Sequence, residues 1–206
     1  MLDVGCATGL FGGFVKEKHP GAKVIGIELN RAAAQVAREK LDHVFERRLE
    51  EIDLAEAGVA PGSIDTVVVA DVLEHMYDPW HFMTDLKRHL TPDAQIIASL
   101  PNTRNLGLLL DFADRGIWPY SDKGLLDITH IRFFTLREIH RFFAETGYKV
   151  ERVAHNLDDN LKPLYQANKD KPSINIRFGR LSFEQLSNAE LAELCTWQFF
   201  VRARPA

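Results

Sequence analysis

Short apolar runs alternate with segments of helical period along the first two-thirds of the chain. Leu2-Asp3-Val4 is an apolar strand end that carries an acid. From Leu10 to about Lys18 the pattern predicts a helix, with Leu10, Phe11, Phe14 and Val15 on one face and a stop at His19-Pro20-Gly21. Lys23–Glu28 predicts a short buried strand, and Asn30 caps a helix running to about Leu41. Val44–Arg48 is a weak, polar strand that suits a sheet edge. After the Pro61-Gly62-Ser63 turn, Ile64–Ala70 is a β-branched run, apolar enough to be buried on both faces of a parallel sheet. Asp78-Pro79 supplies an N-cap and a proline at the first helical position, and Phe82, Met83, Leu86 and Leu90 follow on one face.

Gln95–Leu100 is the next strand, broken by Pro101-Asn102, and an apolar helix runs from Asn105 to about Arg115. Thr135 and Glu138 make a capping box for a helix that ends at Gly147. Tyr148–His155 and Cys195–Ala203 are the last two strands. Residues 156–194 between them read as a polar, irregular insertion with one helix near Asn188–Leu194, suited to acceptor specificity or an oligomer contact. The order of βα units predicts an α/β, doubly wound sheet in a single domain over residues 1–206.

The candidate chemistry sits where the first strand ends. Asp3-Val4-Gly5-Cys6-Ala7-Thr8-Gly9 is a small-residue turn between a strand and a helix. Glycines there allow positive φ and close approach of backbone to a ligand, and the following helix aims its N-terminal N–H groups into the crevice. A dinucleotide fingerprint would need glycine at Ala7, so that a pyrophosphate could lie on the backbone. Asp3 would repel a pyrophosphate and suits a cofactor bearing an ammonium group. The stretch resembles motif I of the class I S-adenosylmethionine-dependent methyltransferases, an acid and an apolar residue followed by G-x-G-x-G, with Ala7 as the one departure.

That resemblance implies a Rossmann-like, mostly parallel seven-stranded sheet closed by an antiparallel C-terminal strand pair. It implies S-adenosyl-L-methionine as cofactor, held by Asp3, Gly5, Cys6, Ala7 and Gly9 in the turn. Glu28, about 20 residues past the turn, stands where this fold places a carboxylate on the ribose hydroxyls, with Leu29 beside it. Arg48-Leu49 falls at the adenine position, where Arg48 departs from the family's acid and Leu49 keeps the apolar contact; Asp53-Leu54 is an alternative register. Asp71-Val72 resembles the segment bordering the methionine and the reacting methyl.

Two further groups complete the picture. Glu74 and His75 can form with Asp71 a carboxylate–imidazole cluster that holds a divalent metal or orients a base; the plainer reading is that they cap and brace the next turn, and no metal is assigned. Residues 118–134 form a loop carrying Tyr120, Asp127, His130 and Arg132. His130-Ile131-Arg132-Phe133-Phe134-Thr135 resembles a segment of a small-molecule branch of the family often associated with sugar and polysaccharide biosynthesis. His130 and His75 are the catalytic candidates, His130 because imidazole suits general-base work near neutral pH. Arg132 is expected to be a structural ion-pair partner.

Composition narrows the partners. The 206 residues carry 25 basic and 29 acidic side chains, a net charge of −4, without a long basic run, so a nucleic-acid partner is not expected. No apolar run approaches the roughly 18 residues of a membrane span. Two cysteines, Cys6 and Cys195, far apart, suggest reduced thiols and a cytoplasmic location. Met1-Leu2-Asp3 begins inside a core strand, which leads us to expect a missing lead-in, a fusion to an upstream domain, or a homodimer. The expected reaction is methyl transfer to a small-molecule acceptor, a sugar or glycan intermediate first and a phenolic or quinone precursor second. The rival readings are an NAD-dependent oxidoreductase and a catalytically degenerate S-adenosylmethionine-binding domain.

Overall fold

A computed structural model describes residues 1–48, 52, 54–55 and 59–206. One sheet organises the chain. Its strands, in chain order, are β1 (Leu2–Val4), β2 (Ile25–Ile27), β3 (His43–Phe45), β4 (Ile64–Ala70), β5 (Leu90–Pro101), β6 (Tyr148–Leu157) and β9 (Thr196–Pro205). They lie in the order β3-β2-β1-β4-β5-β9-β6. β1 pairs in parallel with β2 and β4, Leu2 facing Ile25 and Val67. β9 runs antiparallel to both β5 and β6. The seven strands, mostly parallel with an antiparallel end, are the expected fold. The order reverses at β1/β4, the switch point where a doubly wound sheet opens a crevice at its carboxyl edge.

The helices are α1 (Leu10–Lys18), α2 (Arg31–Ala37), α3 (Pro79–Leu86), α4 (Leu106–Leu110), α5 (Leu136–Glu145), α6 (Lys162–Asn168) and α7 (Asn188–Leu194). Capping at the predicted starts is as read: Asn30 accepts from the Ala33 amide and Asp78 from the His81 amide. Thr135 accepts from the Glu138 amide at 3.3 Å, but among the described residues the return bond from the Thr135 amide to the Glu138 carboxylate is not made, so the predicted capping box is only half formed. The main core gathers β1, β4, β5 and β9 with α3 and α5, including Val67, Val69, Met83, Ile96, Leu100, Phe142, Phe143 and Phe199.

Two expectations are corrected. The apolar face of α1 is not its buried face: Leu10 and Phe14 are 70% and 55% exposed, and Gly12 is the buried residue. The helix lies so close to its neighbours that a Cβ on Gly12 would stand 2.6 Å from Leu41 Cδ2 and 2.9 Å from Val24 Cγ1. Residues 156–194 are not irregular. They form α6, a hairpin of β7 (Ile174–Phe178) and β8 (Leu181–Leu186), and α7. This unit has its own core, with Leu161, Ile174, Ile176, Leu186 and Leu191 packed around Leu106 of α4.

Candidate functional site

The turn after β1 is built by three alternate left-handed residues: Gly5 (φ 68°), Ala7 (φ 46°) and Gly9 (φ 70°). The amides of Gly5 and Cys6 both donate to the Ile27 carbonyl, at 2.8 and 3.0 Å, which ties the turn to β2. Glu28 closes it from the other side. Its Oε2 accepts from the Ala7 amide at 2.9 Å and its Oε1 from the Asn30 amide at 2.7 Å. The carboxylate is thereby fixed at the mouth of the turn, with lone pairs to spare. At the tip of β4, Asp71 also has left-handed backbone (φ 54°). Ser99 holds it: its hydroxyl accepts from the Asp71 amide at 3.0 Å and donates to Asp71 Oδ1 at 2.9 Å, and Gln198 Nε2 donates to the same oxygen.

Three adjoining cavities surround these groups. A crevice of about 350 Å³ is lined by Gly5, Glu28, Leu29, Arg47, Arg48, Asp71, Val72 and His75, among others. A more apolar cavity of about 450 Å³ on the α1 side takes in Asp3, Gly5, Cys6, Ala7, Phe11 and Ser99. A polar cavity of about 330 Å³ on the far side of Asp71 is lined by Asp71, Glu74, His75, Asp127, His130, Trp197 and Gln198, among others. Asp71 and His75 line both the crevice and the polar cavity, so the two adjoin there. Trp197 in turn borders a larger cavity of about 470 Å³ between α4, the 119–126 loop and Phe178 of the hairpin.

Most sequence-predicted residues therefore meet at this edge. Gly9 is an exception: it is buried, lines none of these cavities, and a Cβ there would stand 3.0 Å from Ala37 Cα. Its part is the entry into α1. Asp3 does not line the crevice with Glu28 but the α1-side cavity; it is 4% exposed, and its Oδ2 has no hydrogen-bond partner among the described residues. Burial pushes its carboxyl up to about 6. The predicted Leu49 and the alternative Asp53 lie outside the described residues. Among the described residues Arg132 makes no carboxylate pair of the expected kind; it donates to the Tyr77 carbonyl and lies 5.5 Å from the Tyr77 ring centroid. Both cysteines are free and buried.

The acceptor-side histidines are brought together by the 127–132 loop. The Glu74 carbonyl accepts from the amides of Ile131 and Arg132 at 2.9 and 3.0 Å, which fastens the loop to the turn after β4. The His75 and His130 rings then meet edge to face, 4.6 Å between centroids. His130 Nδ1 lies 3.2 Å from the Leu125 carbonyl, which can only accept, so the ring's proton is there and Nε2 carries a lone pair. Burial lowers its pKa, which keeps it neutral at neutral pH. Sequence reading missed Ser99, Gln198 and Thr129, because their roles depend on pairing across strands and loops that no local motif announces.

The residues present fit a nucleoside cofactor with a cationic end. Gly5 is exposed, and a Cβ there would stand 2.8 Å from Val72 Cγ2, so the crevice wall needs bare backbone. The fixed Glu28 carboxylate suits a vicinal diol, and the unpartnered Asp3 oxygen suits an ammonium donor.

Comparisons agree with this geometry. A family model described as a methyltransferase domain matches residues 1–153. A ubiquinone biosynthesis O-methyltransferase of Thiobacillus denitrificans is 30% identical over 176 residues, covering 82% of this chain and 73% of that protein. An uncharacterised 37.1 kDa transposon protein of Streptomyces fradiae is 25% identical over 153 residues; the match covers 74% of this chain and 44% of that protein. The crystal structure of a SAM-dependent methyltransferase from Archaeoglobus fulgidus superposes with a TM-score of 0.61 at 16% identity, covering 98% of this chain and 84% of that one. Among the described residues, no helix is long and apolar enough to cross a membrane.

Proposed function

The chain belongs to the methyltransferase-domain family, and we propose that it transfers the methyl group of S-adenosylmethionine to a hydroxyl of a small-molecule acceptor. The observation that carries this reading is that Asp71 and His75 line both the crevice and the polar cavity. A donor on one side and an acceptor on the other would meet at that border. S-adenosylmethionine supplies an electrophilic methyl on a positively charged sulfur and leaves as a neutral thioether. The protein's task is then mainly to orient the partners and exclude water. Glu28 would hold the ribose, Gly5 and Ala7 the backbone-facing edge, and Asp3 the ammonium end. Asp71, fixed by Ser99 and Gln198, and Val72 would border the reacting carbon. His130 Nε2, neutral and facing the acceptor, would take the hydroxyl proton.

A phenolic or quinone-precursor acceptor stands ahead of the sugar acceptor suggested by the His130–Thr135 segment, because of the ubiquinone-biosynthesis relative. The cavity beyond Trp197 has Leu108, Leu125, Leu126 and Phe178 in its wall beside Asp111, Arg115, Lys123 and Asp158, which gives room for a ring that carries polar substituents. A panel of catechols, hydroxybenzoates and sugars, scored by mass spectrometry for a gain of one methyl, tests this. Methylated phenols support the reading; methylated sugars alone would reverse the acceptor assignment. Within that assay, His130→Ala should lower kcat by about 10²-fold or more with cofactor affinity intact. Unaltered turnover would leave His130 a loop-pinning residue.

A further inference from the structure

We infer that Trp197 and Asp158 select an acceptor in two parts: a phenolic ring in the polar cavity and, attached to it, a neutral polyhydroxylated group of glycosyl type in the larger cavity beyond Trp197. The inference deepens the methyl-transfer reading and rests on it for the reacting end. The two cavities share Trp197 as a lining residue. Gly124 lines the polar cavity, while its chain neighbours Lys123 and Leu125 line the larger one. A Cβ on Gly124 would stand 3.1 Å from Trp197 Cζ2 and 3.4 Å from Cη2, so the indole lies against bare backbone there. Loop and indole together form a wall with one cavity on either side.

The chemistry of the larger cavity sets the second part. Its charged lining balances, Asp111 and Asp158 against Arg115 and Lys123, and Arg115 is engaged by Asp111 at 2.7 Å. A charged substituent of either sign therefore finds no net attraction, and hydrogen bonding decides what is held. Asp158 is 8% exposed, and no cation pairs with it among the described residues. Its Oδ1 accepts from the Asn160 amide at 2.9 Å and its Oδ2 from Asn105 Nδ2 at 3.1 Å, which fixes the carboxylate and leaves each oxygen with acceptor capacity.

Donors complete the set. The Trp197 indole N–H and the Lys123 ammonium make no hydrogen bond among the described residues, and both residues line the cavity. A strong acceptor and uncommitted donors beside an aromatic face match a sugar ring. Its hydroxyls donate and accept, and its less polar face covers the indole. The phenolic end, on the other side of Trp197, is left to Asp71 and His130.

The probes are hydroquinone mono-β-D-glucoside and 4-methoxyphenol, which present the same phenolic hydroxyl with and without the sugar. Dissociation constants are measured by ligand-observed NMR on the chain alone, so no turnover is needed. The expected result is tighter binding of the glucoside by about tenfold or more, with its sugar protons saturated by the protein. Trp197→Ala and Asp158→Asn should each remove that preference, and Trp197→Phe, which keeps an aromatic face, should retain most of it. The ratio of the two constants cancels a general loss of binding. If Asp158→Asn does not fold, the Trp197 variants, at a partly exposed position, carry the test. Equal binding of the two probes by the parent protein, no binding of the glucoside, or a ratio unchanged in Trp197→Ala overturns the inference. A preference for the glucoside without methylation of either probe supports it and counts against the methyl-transfer reading. Methylation of 4-methoxyphenol with equal affinities does the reverse.

Discussion

Ala7 sits at φ 46° between two glycines in the same left-handed region. The sequence showed the departure from the glycine pattern; the structure shows its cost. A Cβ in that region costs roughly 1–2 kcal/mol, part of which glycine returns as unfolded-state entropy. Ala7→Gly should therefore raise stability by about 0.5–1 kcal/mol in denaturant melts; a loss would mean the Ala7 methyl packs usefully. Asp3 was legible as an acid at the turn but not as a buried one, because burial there depends on α1 closing over β1. Its folded carboxyl titrates at about 6, against an ordinary value of 3.8. Between those values the folded state holds a proton that the unfolded chain has lost, so stability without ligand should fall as pH rises from about 4 to about 6. Asp3→Asn should flatten that stretch of a pH–stability profile, and an unchanged slope would place the titration elsewhere.

At the scale of elements, hydrophobic periodicity placed α1 correctly and turned it the wrong way. The pattern records which side is apolar; the close approach that buries Gly12 depends on α2's neighbour Leu41 and on Val24, residues distant in sequence. Gly12→Ala should cost about 1–3 kcal/mol by overpacking, whereas Phe14→Lys, at an exposed position, should stay within about 0.5 kcal/mol. Thermal melts of the pair decide it, and the reverse order would restore the predicted face. The 174–186 hairpin was missed for a related reason. Its strands are short, and their alternation, Ile174 and Ile176 inward, is too brief to stand out from a polar background. The capping box at Ser187 and Glu190 was the signal available for α7: the hydroxyl accepts from the Glu190 amide and the carboxylate from the Ser187 amide.

For the whole molecule, strand order does what no single motif can. Placing β4 beside β1 brings Asp71 to the glycine turn, and placing β9 beside β5 brings Gln198 to Asp71. The 127–132 loop, fastened to the Glu74 carbonyl, then sets His130 against His75. The donor side was readable because a strand, a turn and an acid about 20 residues on occur in linear order. The acceptor side was only partly readable, since its groups come from the β4 tip, a long loop and the last strand. In the function proposed above, the crevice at β1/β4 holds S-adenosylmethionine through Glu28 and the glycine turn. Calorimetric titration with S-adenosylmethionine and S-adenosylhomocysteine, on this chain and on Glu28→Ala, is the decisive experiment. The expected result is micromolar one-to-one binding that Glu28→Ala weakens by on the order of 1–3 kcal/mol, through lost charged hydrogen bonds. Equal affinity in the variant, or binding of NAD in place of either ligand, would contradict it.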